Sequence, residues 1–256
     1  MRGDEPPWRA WLGLAEQAAT EAGKYLAGTA GAPGAVAADL DRDVKLEADG
    51  LAEELILRVL TGGSEFPVLS EERGAVPGRC ESALRWIVDP LDGSVNYLRG
   101  IPLCCVSVAL WSGDDPLVGV VYDFNRGEVF TAVAALGAWR NGVPIRVSET
   151  TDPSRAVLCT GFPASTDFSE DGVARFTRDV RRYRKIRVFG SAALSLAHVA
   201  TGQVDAYYER DIRLWDVAGG MALVAGAGGR IARAGSAVSN ALTLYAGNAA
   251  LSAPEL

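Results

Sequence analysis

The chain has 256 residues, of which 48% are hydrophobic and 22% charged. That composition fills a sizeable core and excludes disorder, and the length suits one large α/β unit or two closely packed lobes. The net charge of −7 argues against a nucleic-acid partner, because a phosphate backbone calls for a basic face. It leaves room for a small anionic substrate if divalent cations lie between it and the carboxylates. The four cysteines, Cys80, Cys104, Cys105 and Cys159, lack a C-x-x-C pair with zinc spacing and read as buried reduced thiols. The N-terminus has no basic-then-apolar signal and no uncharged apolar run reaches the length of a membrane span, so the chain reads as soluble and cytoplasmic, with no membrane partner.

Trp8 to Leu26 has helical spacing of Trp8, Trp11, Leu12, Ala15, Ala18, Ala19 and Ala22 on one stripe. Gly28 to Ala38 reads as a loop. Asp49 to Leu60 reads as a second helix, with Leu51, Leu55, Ile56 and Val59 on one face, Glu53 and Glu54 on another, and Gly62-Gly63 as its stop. Short apolar runs at Val68-Leu69, Trp86 to Val88, Cys105 to Leu110, Leu117 to Tyr122 and Glu128 to Ala132 predict an antiparallel sheet, with turns at Asn125-Arg126-Gly127 and Asn141-Gly142. The polar stretch Ser148 to Pro153 suggests a lobe boundary, giving an α+β lobe over 1–148 and an α/β lobe over 149–256. In the second, strands at Ala156 to Thr160, Lys185 to Val188, Val204 to Tyr208 and Gly229 to Ala232 alternate with helices at Gly172 to Val180, Ser191 to Thr201 and Val217 to Ala225. Tyr207 and Tyr208 are expected to point one inside and one out.

Four pieces carry chemistry. In Trp86 to Tyr97 an apolar strand runs into Asp89-Pro90-Leu91-Asp92-Gly93-Ser94. Pro90 stiffens the bend, so that both acids can offer oxygen to a hard cation, with the Leu91 carbonyl between them. Gly93 permits close backbone approach, and the amides of Gly93 and Ser94 open a helix whose start favours phosphate. A plain β-turn is the rival reading. Glu71 and Glu72 follow an apolar strand, where ligands gather in α/β folds, or else lie in a solvated loop. Asp216 stands at the start of a helix, as a ligand or as an N-cap. Gly219 and Gly220 inside that helix cost about 1 kcal/mol each relative to alanine and need a reason, either close packing or close ligand approach. Asp49, after the charged Asp43, Lys45 and Glu47, is a cap or a partner of a hydroxyl or water.

In this order the pieces resemble the inositol monophosphatase family: its D-P-x-D-G-[ST] signature at Asp89 to Ser94, its W-D-x-A-x-G signature at Trp215 to Gly220, its G-E-E acid at Glu71, its pre-helix acid at Asp49, a further segment at Phe189 to Ala193, and a terminal strand around Asn248. The resemblance implies a layered α-β-α-β-α sandwich, usually a homodimer. It implies two, or with a weaker third site three, Mg²⁺ ions, held by Glu71, Asp89 and Leu91 and by Asp89, Asp92 and Asp216. It makes Gly93 and Ser94 the phosphate cradle, Ser94 and Asp49 the pair that orients the attacking water, and Glu71 a helper of the third ion. It makes Glu209 a reader of substrate hydroxyls. Most of the acids therefore fall in the first lobe, with Asp216 and Glu209 in the second. Ser94 stands where threonine is usual, Ser70 where glycine is, and Gly219 where alanine is frequent.

The implied reaction is in-line attack of water, activated by two ions about 3.5–4 Å apart, on a small inositol, cyclitol or sugar monophosphate. Adenosine 3′,5′-bisphosphate, histidinol phosphate and fructose 1,6-bisphosphate are alternative substrates, and a non-catalytic metal-dependent binding protein is the alternative of another class. His198, the single histidine, lacks the context of a nucleophile and reads as structural or surface. In the basic run Arg178, Arg181, Arg182, Arg184, Lys185 and Arg187 a solvated helix end is the plain reading. Arg187 is the member expected to reach the substrate, with Arg213, and also Arg210, beside Glu209.

Overall fold

The computed structural model describes residues 7–29, 36–40, 43–163, 165–235, 241–251 and 253. Helix α1 (Trp8–Thr29) precedes a hairpin of β1 (Val36–Leu40) and β2 (Asp43–Leu46), and α2 (Glu47–Gly63) follows directly. The expected loop over 28–38 is therefore partly strand, while its residues 30–35 and the side chains of Asp43 and Lys45 lie outside the described residues. The first sheet contains β3 (Val68–Ser70), β4 (Gly74–Val76), β5 (Leu84–Asp92), β6 (Cys105–Ser112), β7 (Asp115–Asp123), β8 (Glu128–Val133), β9 (Gly137–Arg140) and β10 (Val143–Pro144), with the short helix α3 (Ser94–Leu98) between β5 and β6. The chain then enters a second sheet through β11 (Val157–Thr160), α4 (Glu170–Val180), β12 (Lys185–Val188), α5 (Ala192–Ala200), β13 (Ala206–Arg213), α6 (Leu214–Gly226), β14 (Arg230–Ala234) and β15 (Ala241–Gly247).

The eight-stranded sheet has the order β10-β9-β8-β7-β6-β5-β3-β4 and the five-stranded sheet β12-β11-β13-β15-β14. Most pairs are antiparallel. The exceptions are β3 beside β5, and β11 beside both β12 and β13. Side chains alternate across each strand, so Trp86, Val88, Val106, Val108 and Leu110 meet α1 and α2, while Ile87, Cys105, Ala109 and Trp111 meet α5 and α6. Helices thus cover both faces, which explains why every residue from Cys105 to Trp111, Ser107 included, is buried. On the other side α5 and α6 pack against Cys159, Tyr207, Leu244 and Ala246 of the second sheet, whose far face carries α4 over Leu158, Ala206, Tyr208 and Tyr245. The result is an α-β-α-β-α stack.

Several local readings are corrected by this layering. Tyr207 and Tyr208 do alternate, but both are buried, because helices lie on both sides of β13. On α2 the buried face is Ala52, Glu53, Ile56, Leu57 and Leu60, and Leu51 is 48% exposed. Glu53 was placed on the solvent side by its charge alone. Cys80 is exposed; the other three cysteines are buried and all four are free thiols. The strands β9 and β10 are too short to stand out in the sequence, and β15 (Ala241–Gly247) runs up to Asn248, where the resemblance implies a terminal strand.

The glycines of α6 answer a packing need. A Cβ at Gly219 would approach Ser107 Oγ at 2.6 Å, one at Gly220 would collide with Leu196 of α5, and one at Gly119 on β7 would overlap the Gly219 carbonyl oxygen. Backbone here approaches backbone, with no room for the surroundings to give. Gly119→Ala is therefore expected to destabilise the fold by about 1–3 kcal/mol. Gly13→Ala, in the exposed middle of α1 with nothing within 4 Å of the added methyl, is expected to stabilise it by about 1 kcal/mol. Urea unfolding of the two variants checks both signs.

Candidate active site

Strands β3, β5, β11, β12 and β13 all direct their C-terminal ends at one cavity of about 630 Å³ between the two sheets. Ligands collect at such strand ends because the chain leaves the sheet there and the turns expose polar groups. Each acid reaches the cavity through a break in a regular element. On β5 the pairing with β6 shifts between Asp89↔Ser107 and Asp92↔Cys105, so Pro90 and Leu91 form a bulge and both acids stay on the cavity side. Asp89 Oδ1 accepts the Leu91 amide at 3.0 Å, which closes the turn. Gly93 follows at φ 94°, a conformation that favours glycine, and a Cβ there would also meet the Leu103 carbonyl oxygen at 2.8 Å. Backbone conformation and neighbouring protein backbone therefore already demand this glycine.

Glu71 sits in the turn between β3 and β4, and its amide donates to the Val88 carbonyl at 3.2 Å, which sets it beside Asp89. Asp92 reaches across to α5. Its Oδ2 accepts the Ser191 hydroxyl at 2.5 Å and the Ala193 amide at 2.7 Å, and its Oδ1 accepts the Ala192 amide at 3.2 Å. Asp216 lies in the first turn of α6 and accepts the backbone N–H of Arg213. The cap reading of Asp216 is therefore fulfilled without removing the carboxylate from the cavity.

Burial pushes Asp89 well above the usual carboxylate range, and the charges of Glu71, Asp92 and Asp216 and a hydrogen bond shared with Glu71 push the same way. Asp216 is raised well above its ordinary value by burial and by Glu71, Asp92 and Glu209. Asp92 is raised by burial but held back by Ser191, the Ala193 and Ala192 amides and the Cys105 thiol. Glu209, buried on β13, accepts the Tyr207 hydroxyl at 2.7 Å. Burial pushes it up to about 7, opposed by that hydrogen bond and reinforced by Asp92. Among the described residues no group of three acids, thiols or imidazoles is arranged to hold an ion, although Glu71 and Asp89 lie within hydrogen-bonding reach of each other.

Of the residues singled out from sequence, Glu71, Asp89, Leu91, Asp92, Gly93, Ser94, Glu209, Arg213 and Asp216 line this cavity together. Two do not. Asp49 is buried at the start of α2, where its Oδ2 accepts the Leu46 amide at 2.7 Å in a helix cap. Arg187 is exposed on the edge strand β12, and Val188 lines the cavity in its place, because side chains alternate along that strand. Arg210 turns away to Asp179 on the α4 side. His198 pairs with Gln203 outside the cavity.

Three contributors went unread. Asp211 enters the wall because a bulge interrupts β13 between Glu209 and Ile212, with Asp211 at φ 57°, a left-handed conformation uncommon outside glycine and asparagine. Gly161 is small because a Cβ there would strike the Glu209 carboxylate at 2.5 Å. Ser191 caps α5, its hydroxyl accepting from the Leu194 amide while donating to Asp92. The Asp211-Ile212 step gives no sequence signal of a bulge. Gly161 after an apolar strand was a legible hint of close approach.

The inositol monophosphatase family model matches residues 8–254. A "Nus factor SuhB" of Xylella fastidiosa is 40% identical over 191 residues, 74% of this chain and 68% of the relative. An "Inositol-1-monophosphatase" of Synechocystis is 38% identical over 189 residues, 73% and 66% of the two. Among solved structures, the extragenic suppressor protein suhB of Bartonella henselae superposes with a TM-score of 0.85 at 34% identity, covering 94% of this chain and 95% of that one. The inositol monophosphatase of Anabaena gives 0.82 at 35% identity, with 94% and 92% covered. The sequence signatures, the layered fold and these matches agree: the chain belongs to the inositol monophosphatase family.

Proposed function

We propose that the protein is a magnesium-dependent phosphatase that hydrolyses a small phosphate monoester carrying no second phosphate. The observation that carries this reading is the wall formed by Glu71, Asp89, the Leu91 carbonyl, Asp92 and Asp216. The donor set is hard oxygen throughout, and Arg213 is the single basic residue lining the cavity among the described residues. Such a set suits Mg²⁺ rather than a soft metal. The raised carboxyls supply the second half of the fit, since the shared burial and repulsion of Asp89 and Asp216 are what a divalent cation would relieve. Bound magnesium supplies Lewis acidity, neutralising the phosphate and acidifying water.

The chain's own residues do the rest. Glu71, Asp89, the Leu91 carbonyl, Asp92 and Asp216 would hold the cations. Gly93 and Ser94 receive the phosphate at the turn into α3. Ser94, whose hydroxyl donates to the Leu91 carbonyl at 3.0 Å, orients the water together with Asp49. Asp49 also caps α2 by accepting the Leu46 amide. Positioning and charge neutralisation supply most of the catalysis in a reaction of this type.

We read the wall around Glu209 as the part that selects the leaving group: Glu209, Asp211 and Arg213 line the cavity together with Phe162, Pro163 and Val188. Two acids against one base accept hydroxyls or an ammonium and repel a second phosphate. This favours cyclitol and sugar monophosphates, or histidinol phosphate, over adenosine 3′,5′-bisphosphate and fructose 1,6-bisphosphate. A second reading rests on relatives named Nus factors. A role of that kind would survive the loss of Asp89, whereas hydrolysis would not.

Two outcomes are expected. Asp89→Asn lowers phosphate release more than about a hundredfold, yet without added Mg²⁺ it melts no lower than wild type, because it removes a charge that the fold resists. Asp92→Asn loses activity and melts lower as well, because it weakens the cap on α5. Equal turnover by Asp89→Asn, in a malachite-green assay with Mg²⁺, would sink the assignment. Across a substrate panel the bisphosphates are expected to show a kcat/KM at least about tenfold below the best monophosphate, and Asp211→Lys to narrow that ratio. A bisphosphate preferred by wild type would refute the reading of the wall around Glu209.

A further inference from the structure

Glu71 reaches the cavity from an unpromising place. It begins the three-residue turn 71–73 between β3 and β4, and β4 is the outermost strand of its sheet. From its own sheet the turn has the Glu71 amide bond to Val88. A further hold comes from another layer. Glu53, on α2 and 1% exposed, accepts the amides of Glu72 at 3.2 Å and Arg73 at 3.1 Å, both on Oε1. Its Oε2 lies 3.2 Å from Arg73 Nε, and the Arg73 side chain is 49% exposed. A buried carboxylate is costly unless its partners are in place. Here Oε1 is hydrogen-bonded by two successive peptide N–H groups, while Oε2 has the Arg73 guanidinium as a charge contact but no hydrogen bond among the described residues; all three partners come from the turn that carries Glu71.

We infer that Glu53 is a positioning residue for the cation site, fixing the height and direction of Glu71 by gripping the two peptides that follow it. The inference rests on the reading of Glu71 as a magnesium ligand. Glu53 touches neither cation nor substrate; it acts through the backbone of residues 72 and 73. Both amides converge on one oxygen, so a side-chain amide oxygen at this position serves nearly as well, while a hydrocarbon of similar size leaves two buried donors unpaired.

The test is Mg²⁺ binding by calorimetry to wild type, Glu53→Leu and Glu53→Gln, with KM and kcat for the best monophosphate measured at saturating Mg²⁺. Glu53→Leu is expected to bind Mg²⁺ about tenfold more weakly, with the KM for the phosphate ester within about twofold of wild type. Glu53→Gln is expected to recover most of the loss. A folded Glu53→Leu that binds Mg²⁺ as wild type does, only with a lower Tm, would show a merely structural role and overturn the inference. If Glu53→Leu does not fold, hydrogen exchange of the Glu72 and Arg73 amides in wild type decides. Coupling is reciprocal, so Mg²⁺ is expected to slow their exchange at least about fivefold, and unchanged exchange overturns the proposal. Failure of wild type itself to bind Mg²⁺ would overturn the proposed function first, and this inference with it.

Discussion

Like charges crowded together in a poorly hydrated place resist being there, and this chain brings Glu71, Asp89, Asp92 and Asp216 to one cavity wall. Burial drives the carboxyls of Asp89, Asp92 and Asp216 toward the protonated form, and repulsion by neighbouring acids adds to it at Asp89 and Asp216. The rest of the molecule can be understood as the apparatus that holds them. Parallel strands bring β3 and β5 to a common end, the Pro90-Leu91 bulge keeps two acids on one side, and the first turn of α6 presents the third aspartate. Strain of this kind is tolerated where function uses it.

The same acids also join the layers. Asp92 leaves the first sheet and caps α5, so the helix that separates the sheets takes its orientation from the site. Asn96, on α3, donates to the Leu103 carbonyl ahead of β6 and to the Phe189 carbonyl just past β12, each at 2.8 Å, and so ties the first sheet's connection to the second sheet's. The Gly219 carbonyl packed on Gly119 sets how closely α6 approaches the first sheet, and Asp216 lies one turn before that contact. Cavity shape and core packing are therefore coupled, and glycine at these places is a condition for the site as much as for the core.

Much of this was legible from sequence because the local chemistry was decisive. An apolar run into Asp89-Pro90-Leu91-Asp92-Gly93 has few structural solutions, and the cavity gathers all of those acids. Other features could not be read because they depend on partners distant in sequence. Glu53 is charged and therefore reads as exposed; only the turn at Glu72 and Arg73, nineteen and twenty residues away, makes its burial tolerable. Arg187 was chosen for its neighbourhood to Gly190, but strand alternation turns Val188 inward instead. Asp211 depends on a bulge set by the pairing of β13 with β15. Asp49 was rightly associated with the start of α2, and its cap is visible.

Under the proposed function, a divalent cation supplies the counter-charge to the cavity's carboxylates. The pKa values of Asp89, Asp92, Glu209 and Asp216 are raised in the folded chain, so at these four groups the fold binds more protons than the unfolded chain does. Stability without added Mg²⁺ must then fall as pH rises from the ordinary carboxylate range through the raised values. Cation binding needs the deprotonated ligands and so strengthens over the same interval. The most direct measurement is the melting temperature at pH 5 and pH 8, each with Mg²⁺ and with EDTA. The account predicts a lower Tm at pH 8 than at pH 5 in EDTA, and a Mg²⁺-induced rise that is larger at pH 8. A Tm indifferent to Mg²⁺ at both pH values would contradict it.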